Sequence, residues 1–460
     1  MSGGCQLNTQ AAAAAMDAQL YGDDVTFAGV SIDTRTLNKG EIFFAITGPN
    51  FDGHEYVDVA QESGAVAVVV EQKVETSLPQ LVVANTHLAI ASLSSYWRLS
   101  LNPPLIAITG SNGKTSVKEM TASIMSQQGN TFATKGNLNN DLGVPLSLLS
   151  VDASHATVII EMGANHPKEI EYLTHLAKPN IALVNNASAA HLEGFGDLDG
   201  VAKAKGEIYQ GLCLGGYGIV NNDDAYADLW KEMLTGFDIL TFAIDHQADI
   251  FCDWSGDASG SSLNVTTPAG EFSCVISLSG KHNVMNALAA TAISIAANVP
   301  LPQIKIGLEK MCAVPGRLET KPGFAGATLI DDTYNANPTS TLAALAVLEK
   351  LPGNRYFILG DMGELGDDAV SLHAEIGAKA REIGIDALLG IGELSRAAVQ
   401  AFGANGKHFD TYHELVQYMK SLMHEGSTLL VKGSRTMQMN KVVDACLVVN
   451  ESSQEVKGEN

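Results

Sequence analysis

Short apolar runs alternate with amphipathic stretches through most of this 460-residue chain. In its middle part, runs of four or five mostly apolar residues predict strands at 104–108, 156–160 and 181–184, and each is followed by a helix-like stretch. Strands that alternate with helices predict a mainly parallel sheet with helices on both faces. We therefore expect an α/β fold built around this central sheet.

The two flanking parts of the chain predict separate domains. In the first 85 residues, short β-like runs predict a small mixed α/β domain, and they lie at 41–46, 65–70 and 80–83. Beyond residue 312, strand candidates alternate with helices as in Rossmann-like domains, and they lie at 327–330, 355–359, 387–391 and 428–431. The chain is also too long for one hydrophobic core of ordinary size. The predicted domains are residues 1–85, 86–312 and 313–460.

Composition narrows the class of protein. Apolar residues make up 46% of the chain and charged residues 17%, and no apolar stretch approaches the ~18 residues that span a bilayer. The first 34 residues contain no Lys or Arg, so the alanine run at 11–15 lacks the basic flank of a secretory signal. The six cysteines are scattered and form no C-x-x-C pair. We expect a cytoplasmic protein without a membrane span, whose thiols are structural or incidental.

The net charge of −23 argues against nucleic acid or an anionic membrane as a partner. A phosphate-rich ligand would have to be bound by glycines and a few well-placed cations. Residues 108–115, Ile-Thr-Gly-Ser-Asn-Gly-Lys-Thr, supply them between a predicted strand and a predicted helix. Backbone N–H groups, Lys114 and the Mg²⁺-binding hydroxyl of Thr115 would then hold a nucleoside triphosphate. The general pattern G-x-x-x-x-G-K-[ST] requires Gly at 108, however, where this chain has Ile108.

A carboxylate and a histidine follow the next two predicted strands. Glu161 comes directly after the strand at 156–160, and His191 lies in the loop after the strand at 181–184. The carboxyl ends of parallel strands form one edge of the sheet, where ligands of open α/β folds bind. We expect both residues to bind metal there; the alternatives are a surface glutamate and an incidental loop histidine.

Two lysines lie on the predicted helix after His191. Lys205 shares a helical face with Val201 and Ile208, which predicts that it points inward. Lys203 points the other way and is predicted to pair with Glu207 on a solvated face. Because a buried bare ammonium is unfavourable, Lys205 must be paired or chemically altered. Lys205 is therefore a candidate functional residue.

Eight ordered blocks of this sequence resemble the Mur ligases, the ATP-dependent amide ligases of peptidoglycan precursor synthesis. The blocks cover residues 108–121, 136–149, 161–170, 185–196, 200–209, 280–290, 316–319 and 331–337. The resemblance also accounts for Ile108, because the phosphate loop of this family is the shorter T-G-x-x-G-K-[ST]. Within the family, the resemblance is to the ligase that adds D-alanyl-D-alanine to UDP-N-acetylmuramoyl-tripeptide, and it extends over nearly the whole chain.

The resemblance implies roles for the matching positions. The catalytic positions are Lys114, Glu161, His191 and Lys205. Positions that would contact ATP are Gly110, Ser111, Asn112, Gly113, Lys114, Thr115, Asn283, Asn286, Arg317 and Asp332. Mg²⁺ would be held by Thr115, Glu161, His191 and Lys205, and the last matches a lysine that is carbamylated in relatives. The UDP-sugar precursor would contact Ser31, Thr34, Arg35, Asn137, Asn139 and Asn140.

Some of these roles have simpler alternatives. Asn286 could be an amide on a helix surface, Arg317 could pair with Glu319, and Arg35 could be a surface cation. The resemblance also implies a reaction through an acyl phosphate, for which the general base is unidentified; His373 and Asp361 are candidates. We expect a monomer that acts on small molecules, and the third residue of the tripeptide, diaminopimelate or lysine, stays open.

Three other functions also stay open. A sister Mur ligase would share every ATP motif, but diaminopimelate-adding enzymes resemble one another in an Asp-Asn-Pro-Arg element, where this chain has Asp-Met-Gly-Glu-Leu-Gly at 361–366. Folylpolyglutamate synthase shares the shorter phosphate loop. A catalytically inactive, nucleotide-gated binding protein is the alternative from another class, and the intact Lys114, Glu161, His191 and Lys205 argue against it.

Overall fold

The computed structural model describes residues 4–189, 192–257 and 260–448 of the protein. Within these residues, main sheets of five, nine and six strands follow one another along the chain, together with two sheets of two strands each. None of the helices described is both long enough and apolar enough to cross a membrane.

The N-terminal part is a small mixed α/β unit, as the sequence predicts. Its strands are β1 (Gln6–Asn8), β2 (Gln19–Tyr21), β3 (Thr26–Ala28), β4 (Val30–Ser31), β5 (Ile42–Phe44), β6 (Thr47–Gly48), β7 (Phe51–Asp52), β8 (Ala67–Val70) and β9 (Gln80–Val82), and its helices are α1 (Thr9–Met16), α2 (Val57–Glu62) and α3 (Thr86–Ser100). The main sheet has the order β2-β9-β8-β5-β4, in which the β2–β9 pair is antiparallel. Val69 of β8 packs in one core, whereas Val68 and Val70 pack in the core on the other face.

The central part is dominated by the nine-stranded sheet. Its strands are β10 (Leu105–Thr109), β11 (Thr131–Ala133), β12 (Thr157–Glu161), β13 (Ile181–Val184), β14 (Tyr217–Asn221), β15 (Asp238–Ala243), β16 (Ile250–Asp257), β17 (Gly260–Thr267) and β18 (Gly270–Ile276). Its helices are α4 (Lys114–Met125), α5 (Gly143–Leu149), α6 (Glu169–Ala177), α7 (Leu192–Phe195), α8 (Leu198–Gly206), α9 (Ala227–Met233), α10 (Lys281–Ala296) and α11 (Leu301–Glu309). The order is β11-β12-β10-β13-β14-β15-β16-β17-β18, parallel as far as β16 and antiparallel from β16 to β18.

The position of β10 in this sheet decides where a ligand can bind. Successive residues of β10 face opposite cores, with Ile106 and Ile108 packed against α4 and α10 and Leu105 and Ala107 packed on the α6 and α8 side. In the parallel register, Ile108 pairs with Glu161 on one neighbouring strand. The carboxyl ends of β10, β12 and β13 therefore meet at one edge of the sheet, as the sequence predicts.

In the C-terminal part, strands alternate with helices as in Rossmann-like folds. Its strands are β19 (Glu319–Pro322), β20 (Thr328–Asp332), β21 (Asn354–Gly360), β22 (Ala387–Ile391), β23 (Gly406–Phe409) and β24 (Ser427–Lys432), and its helices are α12 (Pro338–Glu349), α13 (Ala369–Glu382), α14 (Ser395–Phe402), α15 (Tyr412–Leu422) and α16 (Asn440–Asp444). The sheet order is β19-β20-β24-β21-β22-β23, and β19 is its antiparallel edge strand.

The predicted fold class is confirmed: an α/β chain with a small mixed N-terminal unit, a central unit with a mainly parallel sheet and a Rossmann-like C-terminal unit. The predicted domain boundaries at 1–85, 86–312 and 313–460 stay a prediction. Helix α3 falls on the central side of the first boundary, yet Ile90 and Leu93 pack in the N-terminal core, and the helix also contacts α5 and α6. It thereby connects the first two units.

Candidate functional site

The phosphate loop joins β10 to α4 through two glycines with positive φ. Gly110 has a φ of +149° and Gly113 has +77°, which residues with a Cβ rarely adopt. A Cβ at Gly113 would also lie 2.4 Å from Asn286 Oδ1 and 2.5 Å from Asn185 Nδ2. Position 113 therefore requires glycine for space as well as for conformation.

Lys114 lies across the loop that precedes it. Its Nζ donates to the carbonyl of Gly110 at 2.6 Å and to that of Ser111 at 3.4 Å. Burial lowers the pKa of Lys114, while the nearby Glu161 carboxylate acts in the opposite direction. Helix α4 begins at Lys114, so the free N–H groups at the N-terminus of α4 face the same loop. The loop, the helix terminus and the lysine together form a site for an anion.

Asparagine side chains support the loop from behind. Asn185 Nδ2 donates to the Asn112 carbonyl at 3.0 Å and to Asn286 Oδ1 at 3.1 Å. Asn186 Oδ1 accepts the Asn112 N–H at 2.8 Å, and Asn112 Nδ2 donates to Ser188 Oγ at 2.7 Å. Asn286 is buried, so the alternative of a helix-surface amide is wrong. Residues 185, 186 and 188 are not among the predicted site residues, although they follow β13 at the predicted edge.

Glu161 lies beside the loop with its carboxylate held on both oxygens. Oε2 accepts from Thr115 Oγ1 at 2.9 Å and Oε1 accepts from Asn139 Nδ2 at 2.9 Å. The Glu161 N–H donates to Thr134 Oγ1 at 3.0 Å. Glu161 is buried, so the alternative of a surface glutamate is wrong. The structure brings Glu161, Thr115 and Asn139 together, as a metal site next to the loop requires.

Lys205 points into the same region from α8, and it is only 1% exposed. Its Nζ lies 5.4 Å from the ring centroid of Phe195. Burial, reinforced by the positive charge of Lys114, lowers the pKa of Lys205 to about 7, while Glu169 and Glu207 act in the opposite direction. The inward direction predicted for this lysine is what the structure shows.

The solvated face predicted for Lys203 and Glu207 is only partly confirmed. Lys203 is exposed, as predicted, but Glu207 is buried. Its carboxylate accepts the N–H groups of Lys168, at 2.9 and 3.1 Å, and of Glu171, at 3.2 Å. The Glu207 carboxylate thus accepts hydrogen bonds from N–H groups that have no partner within α6, which explains why Glu207 is buried. His191, the other predicted metal ligand, lies outside the described residues.

Arg317 reaches the phosphate loop from the C-terminal unit. Its Nη2 donates to Thr115 Oγ1 at 2.9 Å, and its guanidinium lies 4.1 Å from the ring centroid of Tyr334. The alternative pairing with Glu319 is wrong, because Glu319 forms an ion pair with Lys321 at 3.1 Å. Within the described part of the chain, Arg317 Nε is buried without a hydrogen-bond partner. The site therefore contains an unused donor next to Thr115.

Asp332 lies behind Arg317 and is anchored by Lys432, which is not among the predicted site residues. Lys432 Nζ, at the end of β24, lies 2.5 Å from Asp332 Oδ2. Asp332 Oδ1 accepts the N–H of Leu318, the residue after Arg317, at 3.2 Å. Burial raises the pKa of Asp332, whereas Lys432 acts to lower it. The pair holds the Arg317 segment against β20. Lys432 ends a strand at the ligand edge of its sheet, a position that could have identified it.

Asn337 makes a second contact between the C-terminal unit and the loop. Its Nδ2 donates to Asn112 Oδ1 at 2.8 Å. Its Oδ1 accepts the Ser340 N–H at 2.8 Å and so caps α12. The N-terminus of α12 is thereby fixed beside the phosphate loop.

These side chains line one cleft of about 690 Å³ between the central and C-terminal units. Predicted site residues in its lining are Ser111, Asn112, Gly113, Lys114, Asn137, Asn139, Asn140, Glu161, Lys205, Asn283, Asn286, Arg317 and Asp332. Asn283 is held by a bond from its Nδ2 to the Ser279 carbonyl at 2.9 Å. A smaller cavity of about 370 Å³, lined by Trp254 and Val347 among others, adjoins the cleft at His282 and Met285. Burial lowers the pKa of His282 to about 4, so its imidazole is neutral near pH 7.

The predicted precursor contacts in the N-terminal unit lie outside the lining of this cleft. The Arg35 side chain is 87% exposed and pairs with Asp33 at 2.6 Å. Ser31 is buried, its hydroxyl donates to the Asp33 carbonyl at 3.0 Å, and Thr34 is half-buried next to it. Whether these residues contact a precursor stays a prediction.

The two candidate general bases are engaged elsewhere. His373 is fully buried, its Nε2 accepts the Met362 N–H at 2.9 Å and its Nδ1 lies 2.6 Å from the Ala369 carbonyl. Asp361 Oδ1 accepts the Ser395 N–H at 2.8 Å. Both side chains thus hold loops and helices of the C-terminal sheet together, which argues against a role as general base.

Comparison with known proteins gives a consistent result over nearly the whole chain. Three family models match: "Mur ligase family, catalytic domain" at residues 26–128, "Mur ligase middle domain" at 108–294, and "Mur ligase, glutamate ligase domain" at 316–435. The chain is 42% identical to the UDP-N-acetylmuramoyl-tripeptide--D-alanyl-D-alanine ligase of Escherichia coli, covering 94% of this chain and 96% of that protein. Its counterpart of the same name in Haemophilus influenzae is 40% identical, with 95% and 98% covered. A crystal structure of MurF from Acinetobacter baumannii superposes with a TM-score of 0.90 at 34% identity, covering 96% of this chain and 98% of that one.

Proposed function

The chain belongs to the Mur ligase family, and we propose that it joins D-alanyl-D-alanine to UDP-N-acetylmuramoyl-tripeptide with conversion of ATP to ADP and phosphate. It is an ATP-dependent peptide ligase of peptidoglycan precursor synthesis. Relatives at 42% and 40% identity carry this activity in their names. The observation that carries the proposal is the Thr115 hydroxyl, which contacts Glu161 of the central unit and Arg317 of the C-terminal unit at once.

The contacts of the phosphate loop support ATP as the first substrate. Gly113 lets the loop turn into the N-terminus of α4, where the free N–H groups and Lys114 would bind phosphate oxygens. The buried Arg317 Nε has no protein partner among the described residues, and a γ-phosphate oxygen would satisfy it. We place the adenosine toward Asn283 and the smaller adjoining cavity.

The donor set beside the loop fits Mg²⁺, which prefers oxygen ligands. Thr115, Glu161 and His191 would hold the ions, together with a carbamate on Lys205. When bound, Mg²⁺ would offset the negative charge of the transferring phosphoryl group. The Glu161 carboxylate is already oriented by Thr115 and Asn139.

The lowered pKa of Lys205, about 7, supports the carbamate. Near neutral pH a large fraction of this amine is uncharged and can attack the carbon of CO₂. An N–C bond then forms, the electrons of one C=O π bond move onto its oxygen to give the carbamate anion, and water accepts a proton from the nitrogen. The product replaces a buried cation next to Lys114 with an anion that can bind Mg²⁺.

In the proposed reaction, the terminal carboxylate of the tripeptide attacks the γ-phosphorus, and the bond to the β-phosphate oxygen breaks. ADP leaves and an acyl phosphate remains. The dipeptide amine then attacks the acyl carbon, loses a proton, and displaces phosphate as the amide bond forms. Lys114 and Arg317 hold the phosphate charge, while domain contacts bring the three substrates together. Ser31, Thr34, Arg35, Asn137, Asn139 and Asn140 are the proposed precursor contacts.

Phosphate release tests the proposed function directly. UDP-N-acetylmuramoyl-tripeptides that carry either diaminopimelate or lysine would be supplied with ATP, with and without D-alanyl-D-alanine. We expect release that depends on the dipeptide, and a new amide product by mass spectrometry. D-alanine and meso-diaminopimelate are the control amines, because a sister ligase would use a single amino acid. Release with meso-diaminopimelate alone, or nucleotide binding without any release, would overturn the proposal.

The carbamate has its own test. We expect Lys205→Ala to lose ligation and a short-chain carboxylate to restore part of it, while Lys203→Ala on the exposed face stays active. Turnover of Lys205→Ala at the wild-type rate would refute the carbamate. We also propose that the enzyme acts in the cytoplasm, where ATP and nucleotide-linked precursors are available, and as a monomer, which size-exclusion chromatography would check.

A further inference from the structure

Lys118 is a buried cation on the phosphate-binding helix that the reaction above does not use. It lies one helical turn after Thr115 on α4 and is 2% exposed. Its Nζ donates to the Thr134 carbonyl at 2.6 Å and lies 2.7 Å from Glu119 Oε1, whose side chain is 40% exposed. A lysine is rarely placed in such a position unless its charge and donors are used.

Thr134 connects this lysine to the metal-side carboxylate. Thr134 is buried directly after β11, and its N–H donates to the Ile159 carbonyl of β12 at 3.0 Å. Its hydroxyl accepts the N–H of Glu161 at 3.0 Å. The contacts therefore run from Lys118 through Thr134 to the backbone of Glu161.

The hydrogen bonds of Thr134 explain why a long side chain with a donor is needed here. In a regular parallel ladder the Glu161 N–H would donate to the Thr134 carbonyl, but it donates to the Thr134 hydroxyl instead, so the carbonyl needs another donor. Lys118 supplies that donor from the helix. Helix α4 is thus joined to this edge of the sheet at two points, Lys118 to Thr134 and Thr115 to Glu161.

We propose that Lys118 is a positioning residue for Mg²⁺. Through Thr134 it holds the backbone of Glu161 in a fixed position relative to Thr115, so that the Glu161 carboxylate would face the metal. The same bond anchors the start of the loop that carries Asn139, the second partner of Glu161. This inference rests on the proposed function, because it assumes that Glu161 binds the metal.

Calorimetric titration with a non-hydrolysable ATP analogue, with and without Mg²⁺, tests this role without turnover. Loss of groups that orient a metal ligand typically weakens metal affinity about 10- to 100-fold. We expect Lys118→Met, of similar length and without the donor, to weaken binding of the Mg²⁺–analogue complex about tenfold or more. Binding of the metal-free analogue should change less than about twofold, since the phosphate loop itself is intact.

Two further variants make the test specific. Glu119→Gln removes the exposed partner of Lys118 but keeps the bond to Thr134, so its affinities should match those of the wild type. Thr134→Val keeps the backbone carbonyl and removes the hydroxyl that holds Glu161, so it should repeat the Mg²⁺-specific loss. If Lys118→Met does not fold, Lys118→Gln, which shortens the side chain and removes its charge, takes its place in the comparison.

Equal weakening with and without Mg²⁺, or no Mg²⁺-specific loss in either variant, would overturn the role of Lys118. Ligation of the dipeptide by the wild type, measured in parallel, distinguishes a failure of this inference from a failure of the proposed function. If the wild type ligates and the variants show no Mg²⁺-specific loss, only this inference fails; if the wild type does not ligate, the proposed function fails.

Discussion

Replacing Lys205 by methionine should stabilise the protein while it abolishes ligation. An ordinary lysine has a pKa of 10.5, whereas burial in the fold lowers that of Lys205 to about 7. Between these two values the unfolded chain holds a proton that the folded chain lacks, so stability falls as pH drops from 10.5 toward 7. By linkage, the folded state is penalised by about 4 kcal/mol at pH 7 and by about 2 kcal/mol at pH 9. Methionine fills a similar volume without a charge and removes this penalty.

The assay is thermal unfolding in buffer freed of CO₂, which keeps Lys205 of the wild type uncarbamylated. We expect the melting temperature of Lys205→Met to exceed that of the wild type by several degrees at pH 7 and by less at pH 9. Lys203→Met, two residues away on the exposed face of α8, is the matched control and should stay within about 0.5 kcal/mol of the wild type at both pH values. Added bicarbonate should raise the melting temperature of the wild type and leave that of Lys205→Met unchanged.

A Lys205→Met protein that melts at or below the wild-type temperature at pH 7 would refute the reasoning. So would a stabilisation that is the same at both pH values, because the expected gain comes from a protonation difference.

Three further perturbations test the geometry around the loop. Arg317→Lys keeps the charge but loses the forked donor, so kcat should fall about 100-fold; steady-state kinetics with an unchanged kcat would contradict the contact with phosphate. Asn337→Ser keeps a cap on α12 but cannot donate to Asn112, so it should raise the KM for ATP with little change in melting temperature, whereas Asn337→Val should also lose about 1 kcal/mol of stability. Equal KM values in both variants and the wild type would exclude this contact from nucleotide binding. Gly113→Ala places a Cβ 2.4 Å from Asn286 Oδ1 at a φ of +77°. A fluorescent ATP analogue should therefore bind this variant at least about tenfold more weakly than the wild type. An affinity equal to that of the wild type would show that the loop can rearrange.

The parts of the site that follow directly from local sequence could be predicted. Glu161 was placed correctly because a parallel strand of known direction must end at the ligand edge. Lys205 was placed correctly because helical periodicity alone determines which way it points. In both cases, the information lies within a few residues of the side chain.

Contacts between distant segments could not be predicted from local sequence, and only the family resemblance implied a role for Arg317. Arg317 donates to Thr115 across 202 positions of sequence and Asn337 to Asn112 across 225, and no local pattern specifies such pairs. Glu207 was misplaced for the same reason, because the free N–H groups that draw it into the interior belong to the start of another helix.

The shared Thr115 hydroxyl also bears on how inhibitors of this enzyme should be sought. The groups that we propose to surround the triphosphate come from two units of the chain, so a fragment that ends before residue 316 would keep the glycine loop and lose Arg317 and Asn337. Compounds selected against such a fragment would be optimised for half of a binding site. A screen on the full-length chain would also detect molecules that wedge the two units apart, and changes that confer resistance to those molecules should appear on both sides of the cleft.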